Sequence, residues 1–464
     1  MNWNAFLVGM VPEHFLLGGI VVVIIHSIVF PQGRGAAAIT FAAVFVAAVA
    51  ALGLGLDGYR GEPFTAQLSV NPVASFGKAV ALVLALPVLL LAREEHGDGG
   101  PIYPLILSSL YGMALMLGSE SFLTLFLGLE LMSLPVYALV LLGSRRAFSA
   151  EAALKYVVLG GAATATLLMG ISLLYGHSGS LALGIFARAL ASADPMAVTG
   201  AVMVLLAFFL KAAVVPFHTW APDAYEGATV SMTAYMAAII KAGVLLAALS
   251  LFGDATLSRP MVQLLALLPL VSIVWGNLAA MRQDNLRRMM AYSSIAHAGY
   301  LYLAFLGAGP GRFQSVLFYL LAYGVMTVLA FSVVPAHADD RRRDQLEQLK
   351  GLFHRRPYAA IVIGLAMLSH TGIPPLPGFV AKFLIFREVM AAGYTLYAVL
   401  GLVGSYLGIY FYLRVIQYMF MSPRPAALAG AVGAAGLRPR TGRGLCGGAC
   451  QGGGRPRSLR RGHG

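Results

Sequence analysis

Charged residues are scarce in this sequence. Only 11% of its 464 residues are Asp, Glu, Lys or Arg, whereas 59% are hydrophobic and the mean hydropathy is +0.79. A soluble domain carries about 25% charged residues, so most side chains of this chain must face lipid or other apolar helices. The composition therefore excludes a soluble protein and predicts an all-α polytopic membrane protein.

Cysteines and nucleotide-binding motifs are scarce as well. The two cysteines, Cys446 and Cys450, lie in the last 28 residues, and so few thiolates exclude an iron–sulfur cluster held by this chain. The sequence has no G-x-G-x-x-G motif after a strand and no P-loop. We therefore expect no redox centre, cofactor or metal in this chain. The N-terminus has no basic segment before its first apolar run, so we expect no cleaved signal peptide.

Long apolar segments, by contrast, recur along the whole chain. A bilayer span takes about 20 residues. We predict about 13 spans, near 11–30, 35–56, 72–92, 101–118, 120–142, 152–175, 196–219, 228–252, 261–281, 288–308, 313–335, 357–391 (broken) and 393–421. One set of alternate loops then carries fourteen Arg and Lys residues, and the other set five. The positive-inside rule puts the richer set in the cytoplasm and the N-terminus outside.

The net charge of +13 is no sign of nucleic-acid binding. Seven arginines without acidic neighbours lie in the last 28 residues and account for more than half of the excess. The Gly- and Arg-rich tail that contains them, 422–464, cannot build a core and is predicted to be disordered. The longest hydrophilic loop, 336–357, is either a solvated tether or a docking and coupling element, and its charges allow both interpretations.

Ionisable residues inside apolar segments are costly and are candidates for function. The candidates are Glu130, Lys155, Lys211, Lys241, Lys382, His218 and His297. Lys155 could instead snorkel to the cytoplasmic surface, and the two histidines could be hydrogen-bonded core residues. Glu130 and Lys211 lie well within their apolar runs, so we favour a function for both over a purely structural ion pair.

The stretch 208–243 places Lys211 just before a proline. Pro216 cannot donate to the carbonyl four residues back, so the helix is expected to open near Ala212. Unpaired backbone at membrane depth is tolerated only inside protein or beside a wet cavity, so water is expected next to Lys211. A nearby carboxylate favours the charged form of a lysine. Glu130 and Lys211 would therefore form a proton switch if the fold brings them close together, which the sequence alone does not show.

A weak internal repeat is visible in the placing of these residues. Lys382 follows Lys211 by 171 positions, and His297 follows Glu130 by 167. Each offset spans five predicted helices, and an odd number reverses the direction across the membrane, as in many transporters. We therefore divide the chain into N-terminal helices (1–100), a first inverted five-helix repeat (101–252), a second (253–421) and the tail.

Five segments contain most of the candidate residues: FLGLELMSLPVYAL, EAALKYVVLGG, LKAAVVPFHTWAPDAYEGA, LAAMRQDNLRRMMAYSSIAHAGY and TGIPPLPGFVAKF. Together these motifs resemble the proton-pumping, antiporter-like membrane subunits of respiratory complex I (NADH-quinone oxidoreductase). The second motif and the APDAYEGA segment are most similar to the subunit N branch of this family. The resemblance covers about residues 10–421.

The resemblance implies two inverted repeats with broken helices 7 and 12 and a hydrated polar axis. It implies that Glu130 is the switch, Lys211 the central carrier, Lys241 the connecting lysine and Lys382 the carrier near the exit. His218 and Lys155 match accessory positions, and the pairing of Glu130 with His297 is weaker than this assignment. The family ends with a fourteenth helix, in whose place this sequence has its Gly/Arg-rich tail.

The expected function is proton translocation in a multi-pass subunit of the bacterial inner membrane. By the same resemblance, the other membrane subunits of the complex are the partners, and NADH, FMN, iron–sulfur clusters and quinone belong to partner subunits. Three alternatives stay open: a subunit of a multi-subunit sodium/proton antiporter, a structural membrane scaffold, and a solitary secondary transporter.

Overall fold

The structure is a computed structural model that describes residues 3–30, 34–143, 146–253, 255–307, 309–332, 334 and 344–421. These residues are mostly helical, as the predicted class requires, because every backbone polar group in a bilayer must be satisfied within the chain. The predicted disordered tail, 422–464, and the first part of the hydrophilic loop, 335–343, lie outside the described residues.

Eight helices precede the first interruption of a membrane helix. They are α1 (Val11–Val29), α2 (Ala36–Leu56), α3 (Pro72–His96), α4 (Ile102–Leu117), α5 (Phe122–Leu141), α6 (Arg146–Ser178), α7 (Gly184–Leu190) and α8 (Pro195–Lys211). A short antiparallel hairpin of β1 (Gly61–Phe64) and β2 (Leu68–Val70) joins α2 to α3. A five-residue π-helix, Ala5–Gly9, precedes α1.

Eleven further helices follow. They are α9 (Trp220–Gly227), α10 (Val230–Tyr235), α11 (Lys241–Phe252), α12 (Arg259–Met281), α13 (Leu286–Leu303), α14 (Pro310–Phe331), α15 (Leu352–Arg355), α16 (Pro357–Thr371), α17 (Pro377–Ala391), α18 (Thr395–Tyr406) and α19 (Ile409–Phe420). A π-helical turn, Met236–Ile240, joins α10 to α11, and short 3₁₀ turns cover Ala304–Leu306 and Leu346–Leu349.

Local sequence signals set several helix starts. Asn71 accepts from the backbone N–H of Ala74 at the start of α3, and Asp194 accepts from the N–H groups of Met196 and Ala197 at the start of α8. Such side chains satisfy amide groups that have no partner within the helix. The prolines that follow Asn71 and Asp194 suit the first helical position, where no N–H donor is needed.

The segment Val230–Phe252 lies at the centre of the bundle. Inside the structure, 94% of its most apolar 18-residue window is buried, against 28% for Val11–Val29 and for Ala147–Ser178. The peripheral helices present Val, Leu, Ile and Phe side chains outward, as membrane helices do toward lipid. Lys241, at the first position of α11, therefore lies in the most enclosed part of the described chain.

Each of the predicted apolar segments coincides with a helix or a helix pair. Among the described residues, nine helical segments are long and apolar enough to span, or ten if the bent pair α7–α8 counts as one span. Two of the nine combine consecutive helices, α10 with α11 (Val230–Phe252) and α18 with α19 (Thr395–Phe420). The predicted count of about 13 is thus not reached on this criterion, because Ile102–Leu117 and Pro357–Thr371 are short and others are interrupted. The two predicted interruptions occur, at 212–219 (the first break) and 372–376 (the second break).

Candidate functional site

Glu130 and Lys211 lie in contact next to the first break. Lys211 is the last residue of α8, and its Nζ donates to Glu130 Oε1 of α5 at 3.1 Å. The same Nζ lies 3.3 Å from Ser133 Oγ and 3.3 Å from Tyr137 OH, on the same face of α5. Thr164 Oγ1 of α6 also donates to Glu130 Oε1, at 2.6 Å. The lysine side chain is 7% exposed and the carboxylate 19%.

The first break provides partners for the backbone groups that it frees. At the C-terminal end of α8 the regular helical hydrogen bonds stop. The Leu210 carbonyl accepts from Trp220 Nε1 at 2.9 Å and from the Ala213 N–H at 3.2 Å. The Val215 N–H donates to Ser272 Oγ at 2.8 Å. The expected opening of the helix near Ala212 is confirmed, since α8 ends at the preceding residue.

Lys241 is buried and is held by polar groups of α13. Its Nζ donates to the Ser294 carbonyl at 2.5 Å and also contacts Ser294 Oγ. Tyr225 OH lies 3.3 Å from the same hydroxyl. The π-helical turn directly before Lys241 shifts the side-chain register at this point, and such turns often occur at functional sites.

Lys382, on α17, reaches back across the second break. Its Nζ donates to the carbonyls of His370 at 3.0 Å and Thr371 at 2.9 Å, at the end of α16. It also lies 5.2 Å from the centre of the Tyr300 ring. The negative end of the α16 dipole and an aromatic face therefore surround a buried ammonium group.

His297 and His370 form an aromatic cluster near Lys382. His297 Nδ1 lies 2.8 Å from Tyr319 OH, and its Nε2 lies 3.2 Å from Tyr412 OH. The two imidazole centres are 5.2 Å apart, and the His370 ring stacks on Tyr412 at 5.6 Å. Sequence analysis did not single out His370, and this cluster brings it together with His297 in the second half of the chain.

The two breaks have the same backbone design. Val214 N–H donates to the Phe209 carbonyl, and Ile373 N–H donates to the Leu368 carbonyl, 159 positions further on. In the same way, the Phe217 N–H donates to the carbonyl three residues earlier, and so does the Leu376 N–H, again 159 positions further on. At a spacing of 159 positions, these backbone hydrogen bonds of the second break therefore match those of the first.

The sequence-based register of the repeat needs correction at this point. Ala213 and Gly372, again 159 apart, both have positive φ, at 60° and 88°. The same spacing aligns Lys211 with His370, not with Lys382 as the offset of 171 predicted. The signal that could have found His370 is its position five residues before Pro375, as Lys211 lies five before Pro216.

Lys155 has different partners from Lys211 and belongs to a charged cluster around α9. Its Nζ contacts Asp223 Oδ2 at 2.8 Å and Glu151 Oε1 at 2.7 Å. Arg288 Nη1 binds Asp223 Oδ1 at 2.6 Å and lies 3.3 Å from Glu226 Oε2. Burial would raise the pKa of Asp223, but the hydrogen bonds from Lys155 and Arg288 hold that pKa below its ordinary value. Lys155 is 45% exposed, which fits an accessory place.

His218 lies in the first break but has a different partner from Lys211. Its Nε2 accepts from Trp275 Nε1 of α12 at 3.0 Å. Among the described residues, no group of three or more His, Cys, Asp and Glu side chains is arranged to hold a metal ion.

Comparisons with known proteins agree with one another. Residues 119–408 match the family described as NADH:quinone oxidoreductase/Mrp antiporter, TM. The NADH-quinone oxidoreductase subunit N of Pelobacter propionicus is 39% identical over 420 residues, 90% of this chain and 89% of the relative. That of Laribacter hongkongensis is 33% identical over 435 residues, again 90% and 89%.

Solved structures show the same fold. A chain of respiratory complex I from Thermus thermophilus has a TM-score of 0.77 and 34% identity, and the match covers 91% of this chain and 95% of that chain. A chain of the Mrp complex from Dietzia sp. has a TM-score of 0.79 at 23% identity, with 89% and 80% covered, and supports the fold alone. Taken with the Glu130–Lys211 pair and the two breaks, these matches establish that this chain belongs to the NADH-quinone oxidoreductase subunit N family of antiporter-like membrane subunits.

Proposed function

We propose that this chain translocates protons as one membrane subunit of a bacterial NADH:quinone oxidoreductase, while electrons pass through partner subunits. The observation that carries the proposal is the Glu130–Lys211 pair, in which a carboxylate and a lysine meet where a membrane helix ends. Ionisable side chains inside a membrane are costly and characteristically mark ion paths. Relatives named NADH-quinone oxidoreductase subunit N support the assignment to this complex.

Glu130 acts as a switch on Lys211. An apolar environment favours a neutral amine, and a close carboxylate favours the ammonium. While Glu130 Oε1 stays 3.1 Å from Lys211 Nζ, the lysine holds its proton. Thr164 competes for the same carboxylate oxygen, at 2.6 Å. A movement of Glu130 toward α6 therefore removes the counter-charge, and Lys211 releases its proton.

The proton then passes along buried polar groups in the centre of the bundle. Lys241 serves as the lateral relay, and the hydroxyl of Ser294 is its first contact on α13. His297 and His370, with their neighbouring tyrosines, carry the proton on toward the second break. Lys382 is the exit carrier, where the carbonyls at the end of α16 stabilise its charged form.

Two inverted half-units, 101–252 and 253–421, follow the N-terminal helices in this proposal. The matching backbone hydrogen bonds at the two breaks support a repeat with a spacing of 159 positions at that point. The N-terminus lies outside the inner membrane, in accord with the distribution of Arg and Lys in the loops. NADH, FMN, iron–sulfur clusters and quinone are bound by partner subunits, and coupling reaches this chain through conformation and electrostatics.

The test is Lys211→Ala in the complete complex, reconstituted into liposomes. We expect the complex to assemble and to transfer electrons, with fewer protons moved per electron. Arg387→Ala is the matched control, because it removes an exposed positive charge five residues from Lys382. Replacing external Na⁺ by K⁺ should leave the number of protons moved per electron unchanged, both in the wild type and in Lys211→Ala. This result would distinguish a proton path from a sodium path. An assembled Lys211→Ala complex that pumps at the full ratio would refute the role of Lys211 and favour a structural scaffold.

A further inference from the structure

A second buried ion pair lies in the N-terminal helices, outside the matched region 119–408. Lys78 Nζ of α3 binds Glu13 Oε1 of α1 at 2.6 Å, and the two side chains are only 4% and 2% exposed. Glu13 is the third residue of α1 and Lys78 the seventh of α3, so the pair lies near the membrane side on which both helices begin. Within the described part of the chain, the second carboxylate oxygen, Glu13 Oε2, is buried without a hydrogen-bond partner.

Such a pair is an expensive way to hold two helices together. Desolvating two charges costs several kcal/mol per ion, and well-packed apolar residues often replace a buried ion pair without loss of stability. The unsatisfied carboxylate oxygen adds to this cost. A purely structural role therefore explains the pair poorly.

The surroundings of the pair provide further proton-binding groups. Tyr111 of α4 interacts electrostatically with Glu13. On the other side, Lys78 Nζ lies beside Gly118 at the end of α4, where a Cβ would be 3.3 Å away. Two residues further on, the Glu120 carboxylate accepts a hydrogen bond from Ser69 Oγ.

A cavity of about 630 Å³ begins at Gly77, the chain neighbour of Lys78, and extends to the C-terminal half of α11. It is lined by Gly77, next to Lys78, and by Leu246 and Leu249, on the helix that begins with Lys241. Charged side chains, among them Arg60 and Glu120, also line it. A cavity of this size with charged walls can hold several water molecules.

We propose that Glu13 and Lys78 form an additional proton-exchange station that joins the interior path to the side of the membrane on which the chain begins. A proton enters at the free Glu13 Oε2, which neutralises the carboxylate. Lys78, without its counter-charge, then gives a proton to water in the cavity beside Glu120. The Glu13 carboxyl group then rotates about its Cγ–Cδ bond, which brings the protonated oxygen to the position of Oε1, 2.6 Å from Lys78 Nζ in the ion pair. Transfer of that proton to the neutral amine restores the ion pair. One proton is taken up and one is released.

This inference rests on the proposed function, proton translocation, and Lys78→Arg tests it apart from that function. Arginine keeps the positive charge and the ion pair but does not deprotonate in proteins. The double variant Glu13→Gln/Lys78→Met removes both charges and leaves no unpaired ion. Both are compared with wild type and Lys211→Ala in the complete complex, by co-purification, electron transfer and protons moved per electron in liposomes.

We expect both variants to assemble and to lose as much proton transfer per electron as Lys211→Ala, because all three interrupt one path. Full pumping by an assembled Lys78→Arg or double variant, beside a defective Lys211→Ala, would overturn the Glu13–Lys78 station alone. Full pumping by Lys211→Ala as well would instead count against the proposed function. Failure of both Lys78 variants to assemble would show that the pair serves folding, and would equally overturn the station.

Discussion

The two helix breaks share a backbone design and differ in how they hold a positive charge. At the first break, the Lys211 ammonium pairs with the Glu130 carboxylate on a neighbouring helix, at 3.1 Å. At the second break, Lys382 binds two backbone carbonyls of the preceding helix, and the described residues offer it no carboxylate partner. At the first break, the Leu210 carbonyl accepts from neutral donors, the Trp220 indole and the Ala213 N–H.

This difference indicates different kinds of control. A carboxylate on a separate helix can move away, so the charge on Lys211 can respond to a shift of α5 against α8. Backbone carbonyls at a helix end are fixed, so Lys382 is held by a constant dipole and responds mainly to hydration. In the proposed mechanism, a counter-charge on a separate helix at the first break and backbone carbonyls at the second suit a switched entry and a steady exit.

The largest effect is expected from Glu130→Gln, which makes the first break resemble the second in lacking a carboxylate. Lys211 then loses a charge-assisted hydrogen bond, a contribution of about 1.5–3 kcal/mol, and with it the switch. We expect protons moved per electron to fall to the level of Lys211→Ala, measured in liposomes. Glu62→Gln, in the exposed hairpin, serves as the control. Undiminished pumping would mean that both breaks work without a mobile counter-charge.

A smaller, partial loss of proton pumping is expected from His370→Phe. This substitution keeps a ring stacked on Tyr412 but removes the imidazole. Lys382 keeps its carbonyl partners, since they belong to the backbone, so the second break should stay intact. The same liposome assay measures the change, and Tyr410→Phe on the exposed face of α19 is the control. If the variant pumped as well as the wild type, His370 would serve only in packing, and Lys382 alone would carry protons at this break.

A modest change in stability is expected where the breaks differ in sequence, at Ala213 and Gly372. Gly372→Ala puts a Cβ at φ 88° and 3.2 Å from the Lys382 side chain, which should cost about 1–2 kcal/mol. Ala213→Gly relieves a positive φ but loosens the unfolded chain, so its net effect should stay within about 1 kcal/mol. Thermal unfolding of the purified complex should show a lower Tm for Gly372→Ala only. If both substitutions lowered Tm by the same amount, the positive φ would not be a strain that the two breaks share.

The smallest effect is expected beyond the first break, where Asp223 of α9 forms ion pairs and the equivalent position 159 residues later is Lys382. Asp223→Asn removes partly exposed ion pairs with Lys155 and Arg288, a contribution of about 0–1 kcal/mol. Because folding lowers the pKa of Asp223, the stabilisation is present above its ordinary pKa of 3.8 and is lost as the pH falls through the lowered value.

The difference in Tm between the wild type and Asp223→Asn should therefore be constant near neutral pH and vanish in acid. Asp57→Asn, the same substitution at the exposed end of α2, is measured beside it as the control for the exchange of Asp for Asn. A difference that grew as the pH fell would contradict the sign of the pKa shift.

Much of the fold was readable from local patterns. Apolar runs predicted helix positions within a few residues, and prolines predicted both breaks, because a missing N–H donor acts within its own helix. The number of spans was harder to predict from the sequence, because the packing of neighbouring helices determines how far a short or interrupted helix extends across the membrane. The register of the repeat was wrong by twelve positions, because residue types alone paired Lys211 with Lys382, while the backbone hydrogen bonds pair Lys211 with His370.

The sequence by itself determined that this chain is a helical membrane protein with rare charges, and it identified Glu130 and Lys211 among them, since hydropathy and proline act locally. The tertiary structure decided which of these charges meet. The Glu130–Lys211 contact joins residues 81 positions apart, and Glu13–Lys78 joins residues 65 apart. Helix packing sets such distances, because the energy of a charge in a membrane depends on the neighbour that reaches it.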